Sequence, residues 1–142
     1  VHVTSRDASK RQQALDMGAV AAHDSSDSRW PVDAHVVIES VGPATWEQSM
    51  RSLRPGGRLV VCGGTSGPKV EVNLPRLFFK QFEIIGSTMG SHREFHEVTA
   101  LVEQGVPVQI DATYPIHRYE DALARLESGQ QLGKIVLLHE EE

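Results

Sequence analysis

With 142 residues, 39% of them hydrophobic and 23% charged, the chain suits one globular domain that buries about two-thirds of its surface on folding. A net charge of -5 counts against non-specific binding to nucleic acid or to an anionic membrane, and no apolar run reaches the length of a membrane span. The single cysteine, Cys62, excludes an internal disulfide framework; with no signal peptide at the start, it makes the cytoplasm the expected location.

Taken in order, Val1-His2-Val3-Thr4 is β-branched and predicts a strand that begins without a preceding turn, which suggests an absent upstream segment. Asp7 is placed to cap a helix from Ala8 to about Met17, with Gly18 as its left-handed stop. Ala19 to His23 reads as a second strand, Asp24 to Asp33 as a polar loop, and Ala34 to Glu39 as a third strand ending at Ser40-Val41-Gly42-Pro43. Trp46, Met50 and Leu53, spaced by four and three, predict a helix with one buried stripe, stopped by Pro55 and the pair Gly56-Gly57. The nearly continuous apolar run Arg58 to Cys62 then fits a strand buried on both faces of a parallel sheet.

Leu74 to Lys80 predicts a short helix and Phe82 to Ser87 a fifth strand. Ser91 and Glu94 form a capping box for a helix that carries Phe95, Val98, Leu101 and Val102 inward and stops at Gly105. Asp111 to Ile116 is extended, and Arg118 to Ser128 is a helix with Tyr119, Ala122, Leu123 and Leu126 on one face. Lys134 to Leu138 is the last strand, and His139 to Glu142 a frayed acidic tail. Alternating strands and helices, with no repeat and no sign of a second domain, predict an α/β fold over residues 1–142: a doubly wound parallel sheet, Rossmann-like, flanked by helices.

Three strands end alike, at Glu39-Ser40-Val41-Gly42, at Gly63-Gly64-Thr65 and at Gly86-Ser87-Thr88-Met89-Gly90. Any one of these, taken alone, reads equally well as a tight turn. In phase along the carboxyl edge of a parallel sheet, they offer amides and hydroxyls to an extended ligand. Ser5-Arg6 is the most discriminating feature, with Lys10 a turn further on. In a dinucleotide fold, this position meets the adenine ribose: an acidic residue suits the 2′-hydroxyl of NAD, an arginine the 2′-phosphate of NADP. Two competing readings stay open, solvated residues of an exposed first helical turn, and Asp7 serving NAD. The selector follows the G-x-G-x-x-G turn by roughly 20 residues, so that turn and its strand are expected before residue 1.

Other features carry less. His92 and His96 have metal-ligand spacing, but no cysteine or third histidine lies nearby in sequence, so a surface pair is expected. Cys62 reads as a small buried hydrophobe. No Ser-His-Asp, Ser-Tyr-Lys or paired-carboxylate pattern is present, and no catalytic residue is assigned.

From Val3 to Leu138 the chain resembles the cofactor domain of the medium-chain dehydrogenase/reductase family, which includes zinc-containing alcohol dehydrogenases and zinc-free quinone oxidoreductases. The likeness is carried by Val3-Thr4-Ser5-Arg6, Leu15-Asp16-Met17-Gly18-Ala19, Val37 to Gly42, Leu53 to Val60, Ile85 to Gly90 and Gly133 to Leu137. The resemblance implies an NADP(H) site in which Ser5, Arg6 and Lys10 meet the 2′-phosphate. Glu39, Ser40, Val41 and Gly42 would line the adenosine side, and Gly63, Gly64 and Thr65 would lie near the nicotinamide ribose. Ser87, Thr88 and Met89 would contact the carboxamide, and Lys134 the pyrophosphate. Ser25 stands where several relatives place an adenine-side tyrosine.

It further implies that the substrate, and any zinc, is held mainly by an N-terminal domain absent here. The chain alone would then be inactive, and two sheet edges, at the strands starting at Val1 and Ala34, would lack a neighbour. Dimerisation is expected through the extended Ala112 to Ile116. The alternatives are an S-adenosylmethionine methyltransferase, in which a helix ending L-x-P-G-G before a strand is also common, and a non-catalytic dimerisation or regulatory module.

Overall fold

A computed structural model of the chain describes residues 1–139; of the expected acidic tail, Glu140 to Glu142 lie outside the described residues. The chain forms two compact units, Val1–Met89 and Gly90–Glu142.

The first unit contains strands β1 (His2–Ser5), β2 (Ala21–Asp24), β3 (Ala34–Glu39), β4 (Leu53–Val61) and β5 (Glu83–Gly86), with helices α1 (Ala8–Asp16), α2 (Trp46–Arg51) and α3 (Leu74–Phe79) between them. All pairings are parallel, in two sheets ordered β1-β2 and β3-β4-β5. The α/β class and parallel sheets are those expected. β1 and β3 are not hydrogen-bonded neighbours, so each has an edge unpaired by another described strand.

α1 is capped as predicted: Asp7 accepts hydrogen bonds from the backbone N–H groups of Ser9 and Lys10, and Gly18 follows the helix at φ 98°. The second strand starts two residues later than expected and runs on to Asp24, because Ala19 still donates to the Ala14 carbonyl at the end of α1. The largest difference concerns Leu53. It does not continue the α2 stripe; the helix ends at Arg51, Ala34 donates to the Ser52 carbonyl, and Leu53 pairs with Ala34 as the first residue of β4. The register then slips, with Val36 opposite Arg58. Pro55 and Gly56, at φ 74°, lie in the looped-out part of this strand, where a helix-ending signal was expected.

The core of this unit is Trp46, Met50, Leu53, Leu59 and Phe82, with Val37, Val61, Val72 and Leu77 packed against it. Leu59, at the centre of the three-stranded sheet, is wholly buried. Trp30, in the loop read as polar, is also buried and anchors that loop by donating to the Asp24 carbonyl at 2.8 Å.

The second unit contains α4 (His92–Glu103), β6 (Ile110–Pro115), a 3-10 turn at Ile116–Arg118, α5 (Tyr119–Glu127) and β7 (Lys134–Leu138). β6 and β7 pair in parallel and α5 packs on both. The capping box at Ser91 and Glu94 forms as predicted. The apolar face of α4 is not buried: Phe95, Val98, Leu101 and Val102 are all exposed, because no other element of its own unit packs extensively on it. On α5 only Ala122 is buried; Tyr119, Leu123 and Leu126 line a shallow groove with Ile135 and Leu137 of β7.

Candidate functional site

Two loops at the carboxyl ends of β3 and β4 are tied into one structure. Cys62 donates its N–H to the Glu39 carbonyl at 2.9 Å, and Ser66 its N–H to the Val41 carbonyl at 2.8 Å. The Ser66 hydroxyl donates to the same carbonyl at 2.7 Å and accepts from the Ala44 N–H at 3.0 Å. The glycines make this closeness possible. A Cβ on Gly63 would stand 2.8 Å from the Ser40 carbonyl oxygen, one on Gly64 2.9 Å from that of Gly67, and one on Gly42 3.1 Å from the same atom. Their first use is therefore contact between loops, where approach to a ligand was the expected reason.

Glu39 organises the first loop from beneath. It is 3% exposed, and its carboxylate accepts hydrogen bonds from the N–H groups of Val41 (2.7 Å) and Gly42 (3.0 Å) and from the hydroxyls of Thr45 (2.9 Å) and Ser49 (2.5 Å). Burial alone pushes its carboxyl up; the Ser49 hydroxyl, the Gly42 and Val41 amides and the Thr45 hydroxyl outweigh this and hold it below the ordinary carboxylate range. The side chain thus faces the protein, whereas lining an adenosine site was the expectation. Thr45, Ser49 and Ser66 were missed in the sequence; the signal was two hydroxyls four residues apart following a strand-ending acid.

Around this frame the carboxyl edge carries free donors. The amide N–H groups of Gly63, Gly64, Thr88 and Met89 have no protein acceptor among the described residues. Ser87 donates to the Val61 carbonyl at 2.9 Å and so extends the ladder; Met89, fully exposed, is held at φ 48°. Thr65 and Ser40 are exposed and joined by a long 3.5 Å backbone contact.

Ser5, Arg6 and Lys10 lie on the β1-β2 sheet and α1. Ser5 ends β1; its hydroxyl accepts from the Asp7 N–H, and its carbonyl accepts from Arg11 at 2.6 Å and from Ser25 at 3.3 Å. Arg11 also pairs with Asp24 at 2.9 Å. Arg6 is exposed and carries no ion pair among the described residues. One Asp7 carboxylate oxygen is committed to the helix cap, with the Ser9 hydroxyl at 2.7 Å holding the carboxyl lower still. That commitment weakens the competing reading in which Asp7 serves NAD. Lys134 belongs to the second unit, where it is exposed at the start of β7 and donates its N–H to the Gln109 carbonyl.

Cys62 is exposed rather than buried, its thiol 3.7 Å from the Glu39 carbonyl. His92 and His96 are exposed on α4. No group of three or more His, Cys, Asp or Glu side chains is placed to hold a metal ion among the described residues, so the donors present do not fit a zinc site. None of the described helices is long and apolar enough to cross a membrane.

A family model described as zinc-binding dehydrogenase matches residues 1–104. A quinone oxidoreductase of Pseudomonas aeruginosa is 32% identical over 113 residues, covering 72% of this chain and 35% of that protein. A cobalt- and zinc-bound thermostable alcohol dehydrogenase from Pyrobaculum aerophilum superposes with a TM-score of 0.81 at 31% identity, over 96% of this chain and 42% of that one. The crotonyl-CoA carboxylase/reductase AntE, solved in complex with NADP, has a TM-score of 0.86 at 22% identity, a likeness of fold over 96% and 42% of the two chains. The chain spans about two-fifths of the length of these solved proteins.

Proposed function

The chain belongs to the zinc-binding dehydrogenase family, and from that premise we propose that it forms the dinucleotide-binding part of an oxidoreductase that uses NADP(H). The methyltransferase alternative falls with the family membership. The observation that carries the choice of NADP(H) is Arg6: an exposed guanidinium with no ion pair among the described residues, one position after the carboxyl end of β1. An arginine here offers a charge-assisted fork to a phosphate dianion, and the neighbouring Asp7 is occupied with its helix.

The cofactor, when bound, supplies the hydride donor or acceptor, and the protein's part is to hold and orient it. Arg6, with Ser5 and Lys10, would hold the 2′-phosphate. The free amides of Gly63, Gly64, Thr88 and Met89 would give hydrogen bonds along the ribose and carboxamide side. Glu39 does not touch the ligand in this account; it keeps the Ser40–Thr45 loop in one conformation. Hydride transfer to or from an alcohol, quinone or enone, a substrate site mainly on another domain, and a dimer made through Ala112 to Ile116 complete the proposal.

Thermal-shift and fluorescence titration of the full-length gene product with NADPH, NADH and S-adenosylmethionine test it. Binding of NADPH at concentrations at least tenfold below NADH, with no response to S-adenosylmethionine, is expected. Preference for NADH would overturn the assignment of Arg6.

A further inference from the structure

We propose that a second site, lined by Arg29, Arg51 and Arg76, binds the phosphoryl group of a small phosphomonoester. The three arginines come from different elements of the first unit: the loop between β2 and β3, the last turn of α2, and the first turn of α3. Together they line a surface cleft of about 350 Å³, near the lower end of the size range of small-molecule sites. The lining of this cleft includes no residue of the loops at Gly63 and Gly64.

The charges in the cleft do not balance. Arg51 and Arg76 both donate to one carboxylate oxygen of Glu47, at 2.7 and 3.1 Å, and Arg29 has no ion pair among the described residues. Three guanidinium groups thus share one carboxylate, in a chain whose net charge is -5. Crowding like charges around a cleft costs Coulomb energy unless an anion fills it, and a cleft lined by one sign concentrates the opposite ion. The planar guanidinium fork matches phosphate oxygens, and two arginines already fixed by Glu47 lose less freedom on gripping them. The cleft is open to solvent, so a phosphoryl group held by the arginines leaves room for an attached organic tail. Trp30 fixes the loop that carries Arg29, and the Gln48 side chain reaches the Asp27 carbonyl in the same loop.

Calorimetric titration of the full-length gene product with glycerol 3-phosphate and with inorganic phosphate, each against chloride at matched ionic strength, tests the site. Saturable binding of both at millimolar concentration is expected, with the ester the tighter. Arg29→Gln and Arg76→Gln should each weaken it about tenfold, the loss of one charged hydrogen bond. Glu47→Gln should tighten it about fivefold by removing the competing negative charge. Arg29 has no partner to strand among the described residues, so its variant keeps the test valid if Arg76→Gln does not fold. Arg54→Gln, exposed and outside the lining of the cleft, should leave binding unchanged. Absence of a saturable response, or loss of phosphate binding in Arg6→Gln with retention in Arg29→Gln, would overturn the proposal.

Discussion

Replacing Glu39 by alanine strands four buried or half-buried donors at once, the Val41 and Gly42 amides and the Thr45 and Ser49 hydroxyls. A loss of about 2–4 kcal/mol in unfolding free energy is expected by denaturant titration, larger than for a typical neutral hydrogen bond because the acceptor is charged. The acid dependence follows from the same contacts. The folded carboxyl titrates below its ordinary value, so its stabilisation is fully present above about pH 4.3 and is lost as pH falls through the lower folded value. Asp7, Asp24 and Glu94 are lowered too, so the difference between wild type and Glu39→Gln isolates Glu39. The variant should show a flatter decline of stability as pH falls below the ordinary carboxylate range. The glycines give a matched pair. Gly63→Ala puts a methyl 2.8 Å from the Ser40 carbonyl oxygen and should cost about 1–3 kcal/mol. Gly86→Ala meets nothing within 4 Å and should be neutral within about 0.5 kcal/mol.

Helix α1 shows what a short element needs when it buries little. None of its nine residues is buried, so its first turn depends on the Asp7 cap, and Asp7→Ala should cost about 1 kcal/mol. Amide exchange in α1 should quicken in that variant while α2 stays protected. The cap, the Ser91–Glu94 box and the strands Ala34–Glu39 and Lys134–Leu138 were legible in the sequence because each rests on local chemistry or a continuous apolar run. Leu53 was not. Its four-three spacing from Trp46 and Met50 mimics one more helical turn, and only pairing with Ala34 across the sheet makes it a strand residue. The inward role of Glu39 was hidden for a similar reason: its hydroxyl partners lie six and ten residues away, at the cap and within a helix whose orientation the sequence does not state. The face of α4 was misjudged because periodicity shows that a face is apolar and not that anything described covers it.

At the scale of the molecule, the carboxyl edge of the parallel sheets presents unpaired amides next to a loop pair that Glu39 and the glycines hold in one shape. Arg6 follows the carboxyl end of β1, in the other sheet of the first unit, with its charge uncommitted among the described residues. Membership in the zinc-binding dehydrogenase family gives that edge its meaning, and the proposed choice of NADP(H) over NAD(H) rests on one side chain. The exposed apolar faces of α4 and α5 add a property of their own: surfaces of this kind favour association, and light scattering of the 142-residue chain should show a mass that grows with concentration. The most direct measurement is the affinity of the full-length gene product and of its Arg6→Gln variant for NADPH and NADH, by fluorescence titration. Loss of one charged hydrogen bond to the 2′-phosphate should weaken NADPH by about tenfold to a hundredfold and leave NADH within about twofold. An equal loss for both cofactors, or none for either, would contradict the account.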